Sequence, residues 1–101
     1  MNKRKVSYRE ICEQLEDFYT FTRLGGGNAY DYIIYIIRGI LNNSPDRKCT
    51  IEDIMFCLDD KAKQDKRLRT TITKVRVFQA IAYLARKGEI KRVRFILDGN
   101  P

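Results

Sequence analysis

The chain has 101 residues, 44% of them apolar and 33% charged, which suits one domain with its own core and excludes an intrinsically disordered composition. Its formal net charge is +7 and it has no histidine, so the commonest general base and metal ligand of enzyme sites is absent. The charge is uneven: residues 59–97 carry 12 Lys+Arg against 4 Asp+Glu, the rest 8 against 9, and such a concentrated basic region is the footprint of a polyanionic partner.

Met1 to Val6 reads as a basic tail. Ser7-Tyr8-Arg9-Glu10 is a capping-box pattern, and Tyr8, Ile11, Cys12, Leu15, Phe18 and Tyr19 follow at helical spacing. This predicts a first amphipathic helix over 8–20. Gly25-Gly26-Gly27 ends that unit as a linker or tight turn. The residues after it lack the Gly-Lys-Ser/Thr of a phosphate-binding loop. Asn28 can cap a second helix over 29–42, whose isoleucines and tyrosines make it apolar nearly all round and therefore buried. Asn42 to Asp46 is turn chemistry. Thr50 then caps a third helix over about 51–60, and the charged run from Asp59 to Thr71 reads as an exposed loop or a solvated helix extension.

Thr73 caps a fourth helix over 73–87. Val77, Ala80, Ile81 and Leu84 form its core stripe, and Gly88 is its stop signal. Its outer face offers Lys74, Arg76, Gln79, Tyr83 and Arg86. Arginine and glutamine can make paired contacts with guanine and adenine edges in the major groove, and lysine and arginine neutralise phosphates. Beyond Gly88, Val93, Phe95 and Leu97 alternate with Arg92 and Arg94, which predicts a half-buried strand over 90–97 with an arginine face; Lys91 is a further candidate contact. Lys66, Arg67 and Arg69 in the preceding connection extend the basic surface.

Residues 29 to 97 resemble a winged helix-turn-helix domain of small prokaryotic, plasmid or viral regulators. The resemblance rests on Ile72-Thr73, then Val77, Ile81, Leu84, and Lys87-Gly88-Glu89-Ile90. It implies a mainly α fold with a small β element: a winged-helix core over 28–97 and an added helix within 7–24 as the dimerisation element. It also implies Lys74, Arg76 and Gln79 in the groove and Arg92 and Arg94 on a wing. The connection between the third and fourth helices is longer than the usual turn, and the wing has no evident return strand.

The expected function is sequence-specific binding of double-stranded DNA by a homodimer, most simply a transcriptional regulator. The alternatives are a winged-helix module for protein contacts, such as a viral factor occupying a host complex, and an RNA-binding domain. Catalysis, cofactors and metal ions are not expected. Cys12, Cys49 and Cys57 fit no zinc-ligand spacing, and Cys12 and Cys57 fall on apolar helix faces as buried free thiols. That points to a reducing compartment, the cytoplasm or, for a viral chain, the host cell interior. A signal peptide and a membrane span are not expected.

Overall fold

A computed structural model describes residues 7–91. They form six α-helices: α1 (Tyr8–Gln14), α2 (Phe18–Arg23), α3 (Ala29–Asn43), α4 (Ile51–Gln64), α5 (Lys66–Arg69) and α6 (Lys74–Arg86). No strand occurs among the described residues. Most of the strand expected over 90–97, with Arg92 and Arg94, lies outside them, and Ile90 and Lys91 are not in a strand.

The helix starts follow the local chemistry. Ser7, Asn28 and Thr73 each accept a hydrogen bond from the backbone N–H three residues on, at 3.2, 3.0 and 3.2 Å. Thr50 and Asp53 complete a reciprocal capping box. Gly88, at φ +80°, closes α6: Glu89 N–H donates to the Leu84 carbonyl and Gly88 N–H to that of Ala85, both at 3.0 Å. Gly25, at φ +93°, closes α2 in the same way, with bonds from Gly26 to Phe21 and from Gly25 to Thr22. These are paired Schellman closures, which need a left-handed residue that glycine supplies without steric cost. The triglycine is thus in part a helix terminator.

The single helix expected over 8–20 is two helices. Leu15 turns extended, and Asp17 caps α2 by accepting from Thr20 N–H at 2.7 Å. Two side chains of other helices satisfy the carbonyls freed by the break. The Tyr32 hydroxyl donates to the Glu16 carbonyl and Lys61 Nζ to the Leu15 carbonyl, both at 2.7 Å. An apolar period of about 3.6 residues runs through this point, so periodicity hides the break.

α3 is the centre of the fold. Tyr32, Ile33, Ile36, Ile37 and Ile40 are fully buried, and α1, α4 and α6 pack around them. Phe18, Phe21, Tyr32 and Tyr35 form an aromatic cluster beneath α2, with ring centroids 5.1–6.1 Å apart. Tyr32 is fully buried, and Tyr8, Tyr30, Tyr35 and Tyr83 pack partly against the core. Of the two readings of the connection before α6, the helix extension holds for its first part, since α4 runs on to Gln64; the rest differs, because α5 follows as one turn anchored by buried Leu68 and Ile72.

Cys12 and Cys57 are joined as a disulfide, which corrects the expectation of two free thiols. α1 packs on α4 and brings two core positions 45 residues apart to a Cα–Cα distance of 5.3 Å. A helix stripe shows that each cysteine faces the core, but not that the two face each other. The inference of a reducing compartment rested on free thiols and loses that basis. Cys49 remains free and half-buried, and burial pushes its thiol pKa up to about 11, so it is not a thiolate at neutral pH. No helix among the described residues is long and apolar enough to cross a membrane.

Candidate nucleic-acid interface

From Lys66 to Gly88 the chain has seven basic residues (Lys66, Arg67, Arg69, Lys74, Arg76, Arg86 and Lys87) and no acidic residue. This stretch is α5, the turn after it, α6 and its closure. In chain order α4 is followed by the single turn of α5, a short connection and α6. α6 packs on α3 through Val77, Ala80, Ile81 and Leu84, all buried as the sequence indicates.

At about 3.6 residues per turn, the remaining surface of α6 divides into two sides. Arg76 and Tyr83 lie on one flank, with Gln79 and Arg86 next to them on the outermost line. Arg76, Gln79 and Arg86 are exposed, and Tyr83 is half-buried with Lys87 Nζ 5.3 Å from its ring centroid. Lys74 and Phe78 lie on the other flank, followed outward by Val75 and Ala82. The five sequence-predicted residues of α6 are therefore not on one face. Arg76, Gln79, Tyr83 and Arg86 come together, whereas Lys74 lines a groove with Ile51, Glu52, Met55, Phe56 and Asp59 of α4. Two carboxylates beside Lys74 make that flank a poor place for phosphate.

The structure also separates the other basic candidates. Lys66 and Arg69 project from α5 into solvent. Arg67 is held locally: its guanidinium makes a paired contact with Asp65, at 3.0 and 2.7 Å, and sits 4.8 Å from the Phe18 ring centroid. That contact holds the Asp65 carboxyl below its usual pKa range. Lys61, within the basic connection, is only 4% exposed and belongs to the fold. Beyond α6, Arg38 of α3 makes a paired contact with Glu89 at 2.8 and 2.7 Å, and Ile90 packs partly against the core. These contacts tie the end of α6 to the central helix. They leave Lys91 exposed at the last described position, with Arg92 and Arg94 beyond it.

Sequence reasoning missed the exposed apolar side chains. Phe56 is 50% exposed, Val75 65% and Phe78 37%. The signal was present, since none of the three falls on the core stripe of its helix. No group of three or more metal-ligating side chains occurs among the described residues. No protein-family model matches the chain, and no curated protein or solved structure gives a significant match.

Proposed function

We propose that this protein binds double-stranded DNA in a sequence-specific manner as a homodimer, as a transcriptional regulator does, through a winged helix-turn-helix. The observation that carries the reading is the acid-free basic stretch from Lys66 to Gly88, which coincides with α5 and the solvent side of α6. α6 enters the major groove with Arg76, Gln79, Tyr83 and Arg86, which fits the width of that groove and the donor patterns of arginine and glutamine. Lys66 and Arg69 neutralise phosphates beside the start of α6. Lys91, Arg92 and Arg94, which follow α6 in the chain, would add to the backbone contacts in the place of a wing.

Selection of bound sequences from a random duplex pool at near-physiological salt tests this function. A palindromic consensus with half-sites about one helical turn apart is the expected result. No enrichment, or enrichment of RNA hairpins over duplex in a parallel pool, contradicts it.

A further inference from the structure

The added segment over 7–24 was the element expected to form the dimer; the apolar face of its α1 is spent inside the chain, and Tyr19 and Leu24 are the segment's exposed large apolar side chains. Ile11 and Cys12 are buried against α3 and α4, and the residues α1 leaves exposed, Arg9, Glu13 and Gln14, are polar. Another surface is better suited. Of the large apolar side chains most exposed among the described residues (Tyr19, Leu24, Phe56, Val75 and Phe78), Phe56 lines a groove between α4 and the start of α6, and Val75 and Phe78 follow Lys74 on α6. The groove there, about 450 Å³, is lined by Ile51, Met55 and Phe56, with Glu52 and Asp59 on the α4 side and Lys74 on the α6 side. Phe78 lies one turn beyond Lys74 on the same flank.

We infer that this groove is an interface with a second copy of the chain related by a two-fold axis. Complementary charges surround an apolar centre here. The surface carries acids on one helix and a cation on the other. A two-fold axis sets α4 of each copy against α6 of its partner, so Lys74 meets Asp59 or Glu52 twice and the apolar residues face each other. Glu52 and Asp59 also repel phosphate, so this face stays clear of DNA while Arg76, Gln79 and Arg86 remain available on the other side of α6. The inference rests on the homodimer of the proposed function but not on its DNA contact.

Two charge reversals provide the test. In Lys74→Glu and in Asp59→Lys, each homodimer places like charges opposite each other, so each variant alone is expected to associate at least about tenfold more weakly by sedimentation equilibrium. Mixed in equal amounts, the two pair opposite charges at both contacts, and association should return as a heterodimer. Phe56→Ser should weaken association without rescue. Both charge changes are at exposed positions, and helical circular dichroism checks that the fold is intact. Duplex binding by Arg76→Ala is measured alongside: loss of binding with the dimer intact separates the two claims. A wild-type chain that stays monomeric at its highest soluble concentration overturns the inference. So does a dimer indifferent to these changes, or a mixture that fails to recover. A monomer whose groove instead binds a lysine-rich amphipathic peptide assigns the surface to a basic partner and likewise overturns it.

Discussion

Lys61 shows how a residue that reads as surface becomes structure. It stands in a charged run, yet its stem crosses the core edge and its ammonium reaches the Leu15 carbonyl where α1 breaks from α2. Burial lowers its pKa below the ordinary 10.5. The charged form is therefore penalised in the fold, and that penalty disappears as pH rises through the lowered folded value toward 10.5. Thermal melts across the alkaline range should show this upward contribution in the wild type but not in Lys61→Met. Asp17, Asp65 and Glu89 act in the opposite sense. Their pKa values are lowered by hydrogen bonds from the Thr20 backbone, Arg67 and Arg38 respectively. Their contribution is present above ordinary carboxylate pKa values and is lost as pH falls through the folded ones, so acid titration should loosen the α1–α2 break and the closure of α6. Arg47 sits at φ +54° in an exposed turn. Arg47→Gly should stabilise the protein by about 1 kcal/mol, read as a higher urea midpoint.

Helix starts and stops were legible because they are written within four residues: Ser7, Asn28, Thr50 and Thr73 as caps and Gly88 as terminator. Gly88→Ala should cost about 1 kcal/mol, because alanine in a left-handed position is strained, and a control substitution at exposed Gln79 should not. The break at Leu15–Asp17 was not legible. It depends on Tyr32 and Lys61, which are 16 and 46 residues from the carbonyls they satisfy. The disulfide was hidden for the same reason: pairing Cys12 with Cys57 requires α1 to lie on α4. Loop closure across a sequence separation of 45 gives it a stabilising effect of about 4 kcal/mol in the chain-entropy account. Reduction should therefore lower the melting temperature markedly. Thiol counting in denaturant should find one free thiol before reduction and three after it. Two further thiols without reductant would contradict the pairing.

At the scale of the whole molecule, the sequence conveyed the charge asymmetry and the core stripe of α6 but not how its outer surface divides. The division follows from where α4 lies. α4 brings Glu52 and Asp59 beside Lys74 and leaves Arg76, Gln79 and Arg86 away from these acids. A helix read alone shows one polar face, whereas the folded chain separates exposed Arg76, Gln79 and Arg86 from the flank where Lys74 stands beside Glu52 and Asp59. The most direct measurement is the salt dependence of duplex binding by fluorescence anisotropy, with the wild type, Arg76→Ala and Arg69→Ala side by side. The account predicts tight binding at low salt and an affinity that falls steeply and log-linearly with salt. Each arginine variant should bind more weakly, and loss of a phosphate contact should shallow the slope by about 0.9. Absence of binding at low salt, or binding that neither substitution changes, would contradict it.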